Sequence, residues 1–113
     1  MNWERIESLD TLDKIVEESK QSPVIIFKHS TSCSISAMAL NRLERSWNQD
    51  EMREVRPYYL DLISHRDVSD AVAAKFGIMH QSPQILLIKN GDCVYDESHM
   101  GISYQNLKSG VAA

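Results

Sequence analysis

Residues 24–36 read Val24-Ile25-Ile26-Phe27-Lys28-His29-Ser30-Thr31-Ser32-Cys33-Ser34-Ile35-Ser36, and the change of character along this stretch decides the fold. Its first four residues are apolar and β-rich without alternation, as in a central strand buried on both faces. His29-Ser30-Thr31-Ser32 is a polar turn. Beyond it Ile35, Met38, Ala39, Arg42 and Leu43 follow helical spacing, and Trp47 stands near the end. A buried strand therefore runs through a short turn into a helix that begins at Cys33.

Upstream, Leu9, Leu12, Ile15 and Val16 predict a helix over 9–20, started by Ser8 or Asp10 and broken at Ser22-Pro23. Downstream, Pro57 to Leu62 reads as a second strand. Val68, Val72 and Phe76 lie four apart on one face of a third helix, capped by Ser64 or Asp67, with Gly77 just past its end. Ser82-Pro83 opens the strand Gln84 to Ile88. Asn90-Gly91 is a strong hairpin signal and joins that strand to Cys93-Val94-Tyr95. Met100-Gly101 interrupts, and Tyr104 to Lys108 suits a last helix. Strands linked through a helix lie parallel with a right-handed crossover, and apolar strands need helices on both faces. The expectation is a single domain over 1–113 of α/β class: a three-layer sandwich with a mixed four-strand sheet flanked by helices.

The 113 residues suffice for one core, and 42% hydrophobic with 25% charged residues is ordinary for a folded protein. A net charge of -4 with mixed signs argues against nucleic acid or an anionic membrane as partner. No run approaches the ~18 apolar residues needed to span a bilayer. Glu4 and Glu7 stand where a signal peptide would be basic and then apolar, so the expected location is the cytoplasm, where thiols stay reduced.

The two cysteines, Cys33 and Cys93, form no Cys-x-x-Cys and are too few for an all-cysteine zinc site. Cys33 sits at the carboxyl end of a buried strand, where open α/β sheets place their functional edge. The first turn of a helix carries N–H groups without intrahelical partners, and these favour a thiolate, the nucleophilic form of the side chain. Free cysteines are otherwise mostly inert core; the polar neighbours and the strand-to-helix junction distinguish this one. Ser36 stands where a dithiol enzyme would carry its second cysteine. A hydroxyl there can donate to the thiolate, but it cannot resolve a mixed disulfide. The chemistry is monothiol: Cys33 attacks a disulfide sulfur, and the mixed disulfide waits for an outside thiol.

Pro83 belongs at a strand start because it cannot donate to a ladder. If the Ser82-Pro83 bond is cis, Pro83 can face Cys33 and leave the Ser82 backbone free to pair with an extended substrate. Cys93 follows the hairpin turn at the far end of that strand, on the order of 20 Å from Cys33 at ~3.3 Å per residue, and reads as an incidental thiol. His29 could act on Cys33 as a nearby cation, but reads as a strand-end histidine pointing elsewhere. Lys28 is expected to snorkel to the surface. His65, His80 and His99 are scattered, with no metal-ligand spacing. Met38 and Met79 read as packing, Met100 as a possible groove residue, and Trp3 and Trp47 as packing at helix ends.

Two stretches carry a family resemblance. Lys75-Phe76-Gly77-Ile78, then Ser82-Pro83-Gln84-Ile85-Leu86-Leu87-Ile88-Lys89-Asn90-Gly91, resembles the second half of a thioredoxin. Phe27-Lys28-His29-Ser30-Thr31-Ser32-Cys33-Ser34-Ile35-Ser36 is similar to the monothiol bacilliredoxins of the YtxJ-like family, whose usual motif is Thr-Cys-Pro-Ile-Ser. Ser34 stands where that family commonly has proline, and Ser32 where threonine is common. Against thioredoxin proper, the tryptophan before the cysteine is absent and Phe27-Lys28 replaces an acidic residue. The resemblance runs from about the first helix to Gly101. It implies a thioredoxin-like fold in which Cys33 takes bacillithiol from mixed disulfides on oxidised cytoplasmic proteins, with Ser36 at the missing resolving position. It further implies Pro83 as the cis-proline and a substrate edge of Thr31, Ser32, Ser34, Ile35, Ser82, Pro83 and Gly101. No metal or resident cofactor is implied; bacillithiol is a co-substrate, the partners are S-bacillithiolated proteins and a low-molecular-weight thiol, and the chain acts as a monomer. Two other readings stay open. Cys-x-x-Ser is also the pattern of monothiol glutaredoxins, which share an iron–sulfur cluster between two chains; those carry Cys-Gly-Phe-Ser, and the glycine is missing here. The third is a thioredoxin-like interaction module with an idle cysteine.

Overall fold

The computed structural model describes residues 2–113. In chain order the elements are β1 (Glu4–Arg5), α1 (Leu9–Ser19), β2 (Val24–His29), α2 (Ser34–Ser46), β3 (Arg56–Asp61), α3 (Arg66–Phe76), β4 (Gln84–Lys89), β5 (Asp92–Ser98), a 3-10 turn (His99–Gly101) and α4 (Tyr104–Ala112). They form one mixed sheet in the order β1-β3-β2-β4-β5. The first three neighbours run parallel, and β4 and β5 close the sheet in antiparallel sense.

The sheet has five strands rather than the expected four. The extra one, β1, is two exposed residues, Glu4 and Arg5, paired with Tyr58 and Tyr59. Two residues carry no periodicity, so the strand leaves no hydrophobic signature. Its flanks hold it. Trp3 donates to Glu44 Oε2 at 3.0 Å and stacks against Phe27 with ring centroids 6.0 Å apart. Ile6 is buried and donates its N–H to the Tyr59 carbonyl at 2.9 Å.

Alternation along the strands divides the core. Val24 and Ile26 of β2 point with Leu60, Leu86 and Ile88 toward α1 and α3. Ile25 and Phe27 point with Ile85 and Leu87 toward α2 and α4. Fully burying one such side chain contributes roughly 1.5–3 kcal/mol, so both helical layers are firmly docked on the sheet.

Local chemistry sets the ends of several elements. Asn90 and Gly91 take φ of 52° and 79°, the left-handed pair that a two-residue hairpin turn demands and that Gly91 adopts freely. Gly77 caps α3 in the left-handed conformation, as expected. The start of α3 differs from expectation: His65 is its N-cap, and neither Ser64 nor Asp67 caps it. Ser64 is drawn away by Asp61, whose carboxylate accepts from the Ile63 N–H, the Ser64 N–H and the Ser64 hydroxyl.

The register positions the site. His29 pairs with Asp61 across β2–β3, and Lys28 with Gln84 across β2–β4. Gln84 in turn faces Ser98. The ends of β2, β3 and β5 and the start of β4 therefore share one edge of the sheet, and the Asn90-Gly91 turn lies at the other.

Candidate active site

Cys33 is the N-cap of α2 in an extended conformation, φ -108° and ψ 119°. Its N–H donates to the Ser30 carbonyl at 3.1 Å, and its own carbonyl accepts from Ala37 N at 3.1 Å. The thiol is free and half-buried. The first-turn amides that follow it have no helical carbonyl to bond, and the sulfur makes no capping hydrogen bond to them. Thr31, Ser32, Ser34 and Ile35 are exposed around it.

Ser36 faces inward. It is fully buried, and its hydroxyl lies 2.7 Å from His29 Nδ1 and accepts from the Ser30 N–H at 3.1 Å. It makes no hydrogen bond to the Cys33 sulfur, so the direct contact that the sequence allowed is not formed here. His29 does not point elsewhere: it is buried against the start of α2, and its ring stacks near Tyr59 at 5.5 Å. Burial pushes its pKa down, and the negative charges of Asp61 and Glu44 offset that only in part. The hydroxyl has one proton and two lone pairs. When His29 Nδ1 carries a hydrogen, Ser36 accepts twice and its own proton is free to turn toward the sulfur. When Nδ1 is bare, that proton is spent on the imidazole.

Across the same edge the Ser82-Pro83 peptide is cis and Pro83 is buried. The Pro83 carbonyl accepts from His99 N at 3.0 Å. Among the described residues no backbone hydrogen bond engages Ser82, so its N–H and C=O are open to an extended ligand. The Ser82 hydroxyl is buried without a partner. Gly101 ends the 3-10 turn that approaches from β5. A Cβ there would sit 2.6 Å from the end of the flexible Glu97 side chain, which would have to swing aside. Arg42 of α2 donates to the Ile102 carbonyl at 3.0 Å and ties this turn to the cysteine helix.

The readings of Met38, Met79 and Lys28 are corrected. Met38 and Met79 do not pack in the core: they are 61% and 80% exposed, and Ile35 and Met100 are 51% and 76% exposed. All four are open to solvent. Lys28 does not snorkel. It has no exposed surface, because strand alternation aims it under α3 rather than along the sheet. Its ammonium donates to the Ser69 carbonyl and to His80 Nδ1, each at 3.3 Å. Burial lowers its pKa to about 8, against a smaller opposing pull from Asp70. Burial and then the Lys28 charge lower that of His80. Beside Lys28, Gln84 donates to the Met79 carbonyl at 3.1 Å. Lys28 and Gln84 thus fasten residues 79–80, the approach to Ser82-Pro83, from below.

Cys93 is elsewhere. It pairs with Ile88 next to the hairpin turn, packs against the α1–α3 side of the core and donates to the Tyr95 carbonyl at 3.4 Å. Burial pushes its pKa up. Among the described residues no group of three His, Cys, Asp or Glu side chains is placed to hold a metal, and no helix is long and apolar enough to cross a membrane. The sequence brought Cys33, Pro83 and Gly101 to one edge. It did not find the His29–Ser36 bond. The available signal was period two from Ile25 through Phe27 to His29, which sets that ring on the face covered by α2.

The family model described as monothiol bacilliredoxin BrxC matches residues 4–107 of the chain. Among solved structures, one described as a candidate oxidoreductase with a thioredoxin fold is 32% identical, covering 95% of this chain and 91% of its own, with a TM-score of 0.81. The thioredoxin of Malassezia sympodialis is 17% identical over 98% of this chain and 89% of its own, TM-score 0.75. That of Fasciola hepatica is 19% identical over 96% of each, TM-score 0.71. The two thioredoxins speak to the fold alone.

Proposed function

This chain belongs to the monothiol bacilliredoxin family, a monothiol redox protein on a thioredoxin fold, and from that premise we propose that it removes bacillithiol from mixed disulfides on oxidised proteins. The Cys33 thiolate attacks the bacillithiol sulfur. A Cys33–bacillithiol disulfide forms, the disulfide to the target breaks, and the target cysteine leaves as a thiolate that takes a proton from water. An outside thiolate then attacks the Cys33–bacillithiol disulfide and releases Cys33. Bacillithiol is co-substrate in this scheme, and the macromolecular partners are S-bacillithiolated proteins.

The observation that supports this reading best is the solitude of Cys33. It is a free, half-buried thiol at the N-cap of α2, with a serine hydroxyl three residues on and the other cysteine beside the distant hairpin turn. A thiol so placed can accept a small thiol and cannot expel it by itself. Open N–H groups at the helix start favour the negative charge of the attacking and leaving sulfur. The unengaged Ser82 backbone supports a role in pairing with the target's extended segment, and the exposed side chains from Thr31 to Ile35 and the close-packed Gly101 bound that surface.

Incubation with a target carrying a bacillithiol mixed disulfide tests the proposal by intact mass. The added mass should leave the target and appear on Cys33, and it should stay on the target with Cys33→Ala. Mass that never leaves the target, or that transfers equally to the variant, overturns it.

A further inference from the structure

Beside the cysteine, on the outer side of α2, lies an open groove of about 460 Å³ lined by Met38, Asn41, Arg42 and Arg45. Nothing in the exchange chemistry uses it. It is a basic feature on a chain of net charge -4. The four ion pairs among the described residues are all made by lysines elsewhere, so neither arginine meets a carboxylate. The one acid on that stretch of helix, Glu44, is on the opposite flank, accepting from Trp3. Arg42 is held in place by the Ile102 carbonyl, which costs it one donor and leaves the rest of its fork pre-oriented.

The groove runs along the same helix that Cys33 opens. Ile35 and Met38, half or more exposed, lead into it from Cys33, and the Arg42–Ile102 bond borders it with the turn that carries Gly101. Isolated arginines on a surface are common. Two unpaired ones in one concave groove along the helix that Cys33 opens are placed to read what flanks the disulfide.

We propose that the Met38–Asn41–Arg42–Arg45 groove docks an acidic, extended segment of the partner protein next to its reacting cysteine. This rests on the reading that partner-protein disulfides are the substrate. Arg42 and Arg45 follow Cys33 by nine and twelve residues, about 13 and 18 Å along the helix at ~1.5 Å per residue, and helical side chains lean back toward the N-terminus. An extended chain advances ~3.3 Å per residue. The carboxylates that fit therefore lie roughly three to five residues from the cysteine, where guanidinium–carboxylate pairing adds charge-assisted hydrogen bonds.

Two peptide sets test it, each with a central cysteine in the same small-thiol mixed disulfide, bearing Glu or Gln three to five residues away on either side. On the whole chain the Glu peptide should exchange about fivefold faster at low ionic strength, the scale of an exposed ion pair. The gap should close at high salt and in Arg45→Gln, whose exposed side chain holds nothing in the fold. Equal rates on the unmodified chain, or a gap that survives Arg42→Gln/Arg45→Gln, overturns the proposal. So does an arginine effect confined to free small-thiol disulfides with and without carboxylates, which would give the groove to the small thiol. Binding of the same peptides, with serine at the centre, to Cys33→Ser separates the two claims. Amide shifts along residues 38–45 for Glu and not Gln support the groove even if no exchange occurs, in which case the exchange reading alone fails. Absence of those shifts with exchange intact removes only the groove.

Discussion

The two cysteines of this chain differ in what surrounds them more than in how far they are exposed. Both are half-buried and free. Cys33 ends a polar turn and opens a helix, with unbonded N–H groups ahead of it. Cys93 lies within a strand, covered by apolar side chains, its thiol proton directed at a backbone carbonyl. One environment can hold a negative sulfur, and the other penalises it. The proposed chemistry therefore belongs to the edge of the sheet where the strand ends converge.

The sharpest way to break that contrast is competitive alkylation. With a limiting neutral alkylating agent at pH 7, Cys33 should be labelled roughly 100-fold faster than Cys93 in the folded chain, since the thiolate is the reactive form and burial suppresses it at Cys93. The ratio should fall to near one in denaturant. Mass spectrometry of the labelled fragments reads both rates. Comparable labelling in the folded state would mean that the helix start confers nothing. Cys93→Ser should leave exchange at Cys33 unchanged.

How much of this was legible in the sequence depends on whether a residue's role lies along the chain or across the sheet. The buried run 24–27, the polar turn and the helical spacing after Cys33 are local patterns, and they place the thiol correctly. Asn90-Gly91 and Gly77 announce their conformations because only a few residues tolerate them. β1 was not legible, because a two-residue strand has no period and is held by Trp3 and Ile6 rather than by its own side chains. Lys28 and His29 were misread for a different reason. Adjacent in sequence, they point to opposite faces of the sheet; the polar character of His29 suggested a turn, and the charge of Lys28 suggested the surface. What makes their burial tolerable, the Ser69 carbonyl and His80 for one and Ser36 for the other, comes from residues 7 to 52 positions away.

That pair offers a second, smaller contrast. Lys28 is buried with its pKa lowered from 10.5 to about 8. Between those values the unfolded chain binds a proton that the folded chain does not, so stability rises with pH through that window and the penalty is fully present below pH 8. From pH 7 to 9.5 the relief amounts to about 2 kcal/mol for a shift of this size. Burial raises Cys93 and Tyr58 above their ordinary values, so their unfolded forms add a pH dependence of their own and the informative quantity is a difference. In Lys28→Met the gain between pH 7 and 9.5, read from denaturant unfolding, should be about 2 kcal/mol smaller than in the unmodified chain. The same gain in both would show that the ammonium is not desolvated in the fold. The variant should also loosen residues 79–80 and raise the pKa of His80, which an NMR titration reads directly, because the neighbouring positive charge is gone.

His29 supplies the smallest and most specific test. Its pKa is held below 6.5 by burial, so at neutral pH the ring is uncharged and Nδ1 is free to accept the Ser36 proton. As pH falls through the lowered value the ring gains its second N–H, Nδ1 becomes a donor, and the Ser36 hydroxyl is released to face the sulfur. Once the ring is charged, Ser36→Ala should therefore slow exchange without abolishing it, by roughly threefold to tenfold for one hydrogen bond. The ratio of unmodified to variant rate should grow as pH drops below 6.5. Taking the ratio cancels the loss of thiolate, which both proteins share. A flat ratio would assign Ser36 to holding the Ser30 N–H and the helix start. A ratio that grows, and that flattens again when His29 is replaced by Gln, would show the imidazole governing the hydroxyl from beneath the cysteine helix.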